Sequence, residues 1–304
     1  MSESEFTELK DFQKNSDSDK KVIKNMKQPD LFDLTGKTAV VVGGRGFLGK
    51  RFCNVLQAYG ATVFSLDKET ESKAALKEDN SKVKINDQIN QLVVDVRDEN
   101  SIKTVIEKIV QVSNTIDIFI YAVTTKSRDY WLPITECTLE GWREVLSVEL
   151  DGAFLFTKYI GKEMEKHKKG SMIFISSIYG VVGNDQRIYE GSNLDSLYCD
   201  ISRKNKNIYS HGVYNAAKGG IIAYVKYLAA YWGQQGIRVN ALSPGGIQHS
   251  GENEDFVQKY SARVPMGRKG NPDEMDGTVV YLASDASSYL TGQNIVVDGG
   301  WTIW

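Results

Sequence analysis

Three cysteines, three histidines and no excess of either charge are the first constraints on this 304-residue chain. Cys53, Cys137 and Cys199 are odd in number and widely separated, and no CxxC pair occurs. Neither a disulfide framework nor a zinc site is expected from that pattern, and no metal is called for. A formal charge of −2 gives no electrostatic footprint for nucleic acid or for an anionic membrane surface. No apolar run approaches a membrane span, and the first residues lack the apolar core of a signal peptide, so a cytoplasmic protein is expected. Internal repeats and interdomain linkers are also missing from the pattern.

What is there is 41% hydrophobic residues, enough for one large α/β domain with a sizeable core. Residues 1–30 are polar, charged in both signs and poor in aliphatics. Such a segment buries too little surface to offset the entropy of ordering and reads as a flexible N-terminal tail. From 31 to 304 short apolar runs alternate with longer amphipathic segments, as strands and helices do in a parallel sheet. The patterning predicts strands at 38–42, 62–66, 91–94, 116–122, 171–176, 238–242 and 294–297. Helices are predicted at 47–59, 101–112, from about 139 to 167, and from 214 to about 235.

The first strand runs into Gly43, Gly46 and Gly49. Glycines there allow positive φ and let the backbone approach a pyrophosphate resting at the positive end of the next helix. Arg45, Phe47 and Leu48 lie in the same turn. Strand, glycine loop and helix in that order point to a dinucleotide. Asp67, closing the second strand, can accept hydrogen bonds from both ribose hydroxyls of an adenosine and repel a 2′-phosphate, which favours NAD over NADP. Lys68 beside it acts in the opposite sense. Asp95 and Val96 follow the third strand, where the adenine is expected, Ala122 ends the fourth, and Pro244, Gly245 and Ile247 turn out of the sixth. Ligands of such sheets bind beyond the carboxyl ends of the strands, where all these residues fall.

Tyr214 and Lys218 stand one helical turn apart on one face. A free phenol keeps its proton to a pKa of about 10. A cation held close favours the phenolate and moves that value toward working pH, so Tyr214 is a candidate acid or base.

With Ile175-Ser-Ser177, the run from Arg238 to Gly245 and the Val297-Asp-Gly-Gly300 ending, the chain from 32 to 304 resembles the short-chain dehydrogenase/reductase family, in its compact single-domain branch. The resemblance implies an α/β fold: a Rossmann-type, doubly wound parallel sheet in three α/β/α layers, a single domain over 31–304. It implies an NAD(P)-dependent oxidoreductase passing a hydride between nicotinamide and a carbonyl or alcohol. Tyr214 then exchanges a proton with the substrate oxygen, Ser177 hydrogen-bonds that oxygen, and Lys218 holds the nicotinamide ribose and lowers the tyrosine pKa. Ser176, next along an extended strand end, should point the other way. A homodimer or homotetramer is implied, through the helices that begin near Leu139 and Tyr214. The apolar terminus from Trp301 to Trp304 is expected to pack on a subunit.

Three departures from the family pattern stand out. Glu149 occupies the place of an asparagine that serves the proton relay, so Glu149 joins the catalytic candidates. Tyr121-Ala-Val-Thr124 replaces Asn-Asn-Ala-Gly at the fourth strand. Val42 replaces a threonine, and the GxxGxxG spacing resembles the sugar-nucleotide epimerase branch. Between Ser177 and Tyr214 lie roughly two dozen residues more than the family usually places there. This insertion, 184–213, is expected over the active-site mouth. It carries Arg187 and Tyr189 as candidate substrate contacts and a basic cluster of Arg203, Lys204 and Lys206. Residues 246–268 read as a second mobile segment, with His249 and Arg263 as further candidates, and Tyr130, Trp131 and Trp142 as a possible sugar-binding wall.

The leading functional reading is an NAD-preferring oxidoreductase of a small polar substrate, sugar-like or a hydroxyacid. An epimerase or dehydratase that retains NAD is the second reading, and a dinucleotide-binding regulatory protein with altered catalysis the third.

Overall fold

Val40 and Val42 of the first strand face one core while Ala39 and Val41 face another, and all four are buried. A strand apolar on both sides needs helices on both sides. The computed structural model describes residues 30–68, 88–198 and 207–304. Expectations for residues 1–29, Cys199, Arg203, Lys204 and Lys206 lie outside them. The chain divides into two units, Met1–Leu31 and Phe32–Trp304, and every element below belongs to the second.

The strands are β1 (Thr38–Val42), β2 (Thr62–Asp67), β3 (Asn90–Val93), β4 (Ile118–Tyr121), β5 (Gly170–Ile175), β6 (Ile237–Pro244) and β7 (Asn294–Val297). They pair in parallel in the order β3-β2-β1-β4-β5-β6-β7. The chain winds outward from β1 in one direction and from β4 in the other, which opens a crevice above the switch between them.

The described helices are α1 (Phe47–Ala58), α2 (Glu99–Ser113), α3 (Leu139–Leu146), α4 (Gly152–His167), α5 (Leu194–Tyr198), α6 (Gly212–Trp232), α7 (Glu254–Ser261) and α8 (Asp276–Ala283). Ile106 of α2, Phe156 of α4 and Val225 of α6 pack on one face of the sheet, and Phe52 of α1 and Val279 of α8 on the other. This is the expected three-layer Rossmann-type arrangement. None of the described helices is long and apolar enough to cross a membrane.

Three expectations need correction. The helix expected over 139–167 is interrupted by a π turn at Ser147–Asp151, where the Gly152 N–H donates to Ser147 O instead of Val148 O. The reason is a side chain from the sheet: the Tyr121 hydroxyl takes the Val148 carbonyl at 2.5 Å. Apolar periodicity carries no trace of that competition. Residues 246–268, read as mobile, hold α7, capped by Asn253 accepting from the Phe256 N–H. The terminus is split: Trp301 is buried within its own chain, stacked 4.4 Å from Tyr260, whereas Ile303 and Trp304 are exposed.

The described part of the insertion is packed. Ile188, Tyr189, Leu194 and Ile208 join Tyr130, Trp131, Phe256, Tyr260 and Trp301 in a third apolar cluster, separate from the two that sandwich the sheet.

Candidate active site

A cleft of about 410 Å³ opens at the carboxyl ends of the strands. Gly43 leaves β1 with φ of 78°, and a Cβ there would come within 2.6 Å of the Ala122 carbonyl oxygen. Only glycine lets the two strand ends approach so closely. No side chain caps α1, whose start, Gly46, Phe47 and Leu48, lines the cleft, an arrangement that receives a phosphate. Ala122, Pro244, Gly245 and Ile247 complete its walls.

Asp67 lines this cleft and an adjoining pocket of about 200 Å³ that includes Asp95 and Val96. Its Oδ2 accepts the Arg45 N–H at 3.0 Å and its Oδ1 the Lys68 N–H at 2.8 Å, which fixes the carboxylate. Asp95 is gripped at both oxygens by Arg97, whose hydrogen bonds hold that carboxyl at about 2. The Arg45 side chain turns away from the cleft and is buried against β3, donating to Gln91 Oε1 at 2.6 Å.

Ser177, Tyr214 and Lys218 converge on the same cleft. The end of β5 presents two serines with different partners, as an extended strand end should. Ser176 Oγ donates to the Lys218 carbonyl at 2.8 Å and so ties the strand to α6. Ser177 Oγ accepts the Tyr179 N–H at 3.2 Å and lies near enough to the Tyr214 hydroxyl to favour its ionised form. Lys218 Nζ lies 5.5 Å from the centre of the Tyr214 ring and donates to Ile175 O at 3.0 Å. It also meets Glu149 Oε2 at 2.6 Å, in an ion pair whose side chains are 4% and 1% exposed.

Charge at this site differs from the expectation. Burial pushes the Tyr214 phenol up. Lys218 and the Ser177 hydroxyl pull it down, and Glu149 pushes it up again, leaving it above its ordinary value. Burial opposes the charge on Lys218, but Glu149 and Tyr214 outweigh it and the ammonium is held above its usual value. The lysine thus acts on the phenol in the expected sense, while the carboxylate beside it offsets the effect.

Beyond Ser177 and Tyr214 lies a second pocket of about 240 Å³. Tyr130 and Trp131 line it as expected, and Trp142 packs behind them on the same cluster. Tyr189 lines it too, its hydroxyl donating to that of Tyr179 at 2.9 Å. Arg187 is not brought in: its side chain is 73% exposed and is held by Asp185, which also grips Arg263. His249 packs on Phe47 at 4.9 Å. Sequence reasoning missed Lys126, Glu252 and Lys269 in this pocket. Lys126 follows the end of β4 closely enough to be found. The other two are 17 positions apart in irregular segments and carry no pattern. A larger cavity, about 500 Å³, lies at the opposite ends of the strands among Lys37, Lys169 and Arg238, and none of the candidate catalytic, cofactor or substrate residues lines it.

Residues 37–192 match the short chain dehydrogenase family, and residues 196–302 match the family described as enoyl-(acyl carrier protein) reductase. Relatives include a sorbose reductase of Candida albicans, 31% identical over 90% of this chain and 89% of that one. A 3-oxoacyl-[acyl-carrier-protein] reductase of Thermotoga maritima is 31% identical over 89% and 99%. An NADP-dependent mannitol dehydrogenase of Hypocrea jecorina is 32% identical over 90% and 95%. Among solved structures, a short chain dehydrogenase of Leptospira borgpetersenii with bound NAD+ superposes with a TM-score of 0.76 at 31% identity, covering 91% of this chain and 98% of that one. With the parallel sheet, the glycine turn and the Ser-Tyr-Lys convergence, these matches establish that the chain belongs to the short-chain dehydrogenase/reductase family, as an NAD(P)-dependent oxidoreductase of CH–OH and C=O groups.

Proposed function

We propose that the protein is an NAD-preferring reductase of a small polyhydroxylated ketone, running as a dehydrogenase of the matching alcohol at alkaline pH. The observation that carries this reading is that Ser177 and Tyr214 line both the glycine-floored cleft and the aromatic pocket, so they stand where two ligands meet. The cleft suits a dinucleotide: a side chain at Gly43 would fill its floor, and the uncapped start of α1 lies beside it. Gly46, Phe47 and Leu48 would hold the pyrophosphate, Asp67 the adenosine ribose, Asp95 and Val96 the adenine side, and Lys218 the second ribose. When bound, the nicotinamide supplies the hydride exchange.

The chain's own residues manage the proton. Ser177 hydrogen-bonds the substrate oxygen, and Tyr214, protonated at neutral pH, donates to that oxygen as negative charge develops on it. A phenol held above its ordinary value keeps its proton at neutral pH and has it ready for a ketone oxygen, while proton removal from an alcohol needs alkali. The Asp67 carboxylate disfavours a 2′-phosphate and supports NAD. For the substrate, relatives named for sorbose and mannitol support a polyhydroxylated ligand, and so do the ionic groups in the pocket wall. The catalytic domain spans 31–304, with the 184–213 insertion contributing to the pocket. Exposed Phe154 on α4 and the stacked Tyr227 and Tyr231 on α6 support a homodimer or homotetramer built through those helices.

The test is NADH and NADPH oxidation with a panel of ketoses and simple ketones. Turnover of ketoses with NADH ahead of NADPH supports the proposal, and oxidation of neither cofactor by any ketone in the panel overturns it.

A further inference from the structure

The wall of the aromatic pocket contains an ion pair that the hydride and proton steps do not use. Lys269 Nζ lies 2.5 Å from both Glu252 oxygens, and each side chain is only 4% exposed. The ammonium sits 5.0 Å from the Phe256 ring centre and 5.4 Å from that of Tyr260, and Glu252 Oε2 also accepts the His249 N–H at 3.3 Å. All four of Lys269, Glu252, Phe256 and Tyr260 line the pocket that Ser177 and Tyr214 line.

Such a pair is a poor stabilising device. Taking both charges out of water costs about as much as their attraction returns, and an apolar replacement is often as stable. Nor is it needed to fasten the two segments together. Ile247 already bridges Gly270 through the backbone, with Gln248 N–H donating to Gly270 O at 2.7 Å and Gly270 N–H to Gly246 O at 2.9 Å. What the pair adds is a strong donor and a strong acceptor side by side, next to the rings of Phe256 and Tyr260.

We propose that Lys269 and Glu252 form the substrate-recognition element of this pocket and select a vicinal diol, one hydroxyl accepting from the ammonium while its neighbour donates to the carboxylate. The inference rests on the reading of this pocket as the substrate site. Because the pair is neutral as a unit, it matches hydroxyls better than it matches a carboxylate, which separates polyols and keto-sugars from hydroxyacids. The rings of Phe256 and Tyr260 offer the apolar faces that the C–H groups of a sugar need. The pair is therefore a specificity element, and Tyr214 and Ser177 remain the groups at the reacting atoms.

The experiment compares 3,4-dihydroxycyclohexanone with cyclohexanone, and a ketose with its deoxy analogues, in the wild type, in Glu252→Gln and in the double variant E252L/K269M. NADH binding, followed by fluorescence, reports the fold independently of turnover. The wild type should prefer each hydroxylated ketone by about 10- to 100-fold in kcat/KM, the worth of one or two hydrogen bonds to charged groups. The double variant should bind NADH as the wild type does and lose most of that preference through a higher KM for the hydroxylated member, with cyclohexanone turnover kept. E252Q, which retains an acceptor but leaves Lys269 without its counter-charge, should fall between. Equal use of the paired substrates by the wild type, or a preference unchanged in both variants, overturns the inference while leaving the oxidoreductase reading intact. Failure to reduce any ketone overturns both.

Discussion

The Tyr121 hydroxyl donates to the Val148 carbonyl at 2.5 Å, and that bond shapes the backbone that delivers Glu149 to Lys218. By claiming the acceptor that Gly152 N–H would use in an unbroken helix, it admits the π turn at Ser147–Asp151. Burial above all, with Glu149 and Asp151 adding to it, holds the Tyr121 phenol well above its ordinary value, so it stays a donor at every working pH. Tyr121 therefore has a structural task, and its presence in place of the family asparagine is no sign of a damaged site.

The fit of Tyr121 requires a glycine opposite it, since a Cβ at residue 152 would strike the hydroxyl. Gly152→Ala should cost about 1–3 kcal/mol as an overpacked contact. Tyr121→Phe alone should cost about 1–3 kcal/mol for the carbonyl left unpaired. In the double variant the new methyl occupies the space the hydroxyl vacates, so its loss should be clearly smaller than the sum. Denaturant midpoints of the three variants check this, and strict additivity would refute the coupling.

Glu149→Gln removes a charge that opposes ionisation of Tyr214. In alcohol oxidation the rate rises as the phenol gives up its proton, and in the wild type this rise lies on the alkaline side because burial and Glu149 hold the phenol up. While Lys218 keeps its proton, the variant's rise should move to lower pH, read from the pH profile of kcat/KM. The ammonium of Lys218 is held above its usual value by Glu149. The stability this gives is full below the ordinary lysine value and is lost as pH climbs through the raised one. At neutral pH E149Q should therefore lose about 3–5 kcal/mol, as when one partner of a buried pair is removed.

Much of this was legible in the residues. The uninterrupted apolar run of β1 and the glycines at its end announced the sheet and the turn, and the Tyr214 to Lys218 spacing announced the helix face. The cleft gathers residues from five strand ends, yet each lies directly after an apolar run, which is why they could be named in advance. That a carboxylate at 149 would stand near Lys218 and strengthen its charge was legible, but the π turn that carries it there was not, because that turn depends on a side chain 27 residues before Val148. Arg187 was misplaced because Asp185, two residues away, captures it, and local capture of that kind does not show in composition. Glu252 and Lys269 meet only through the folding of two irregular segments.

Asp67 should govern the choice between the two cofactors. Its carboxylate is fixed by two backbone donors, so it cannot swing away from an incoming phosphate. Asp67→Ser should lower the NADH over NADPH ratio of kcat/KM by about 10- to 100-fold, the scale of a like-charge contact removed. An unchanged ratio would locate the discrimination elsewhere.

The two neighbouring serines should behave differently. Ser177→Ala removes the hydroxyl proposed to hydrogen-bond the substrate oxygen and should lower kcat by about 10²–10³-fold. Ser176→Ala loses a bond to the Lys218 carbonyl and should cost about 1 kcal/mol of stability, with kcat changed far less. Steady-state rates beside melting curves distinguish them, and equal kcat losses would contradict the assigned orientations.

Tyr214→Phe offers the most direct test of the proton-transfer role. The substitution keeps the ring beside Lys218 and deletes only the hydroxyl. With a ketone that the wild type reduces, kcat should fall by about 10²–10⁴-fold, the usual worth of a positioned general acid, while NADH affinity measured by fluorescence stays within about twofold. Retention of most of the wild-type kcat would show that another group delivers the proton and would contradict the role given to Tyr214.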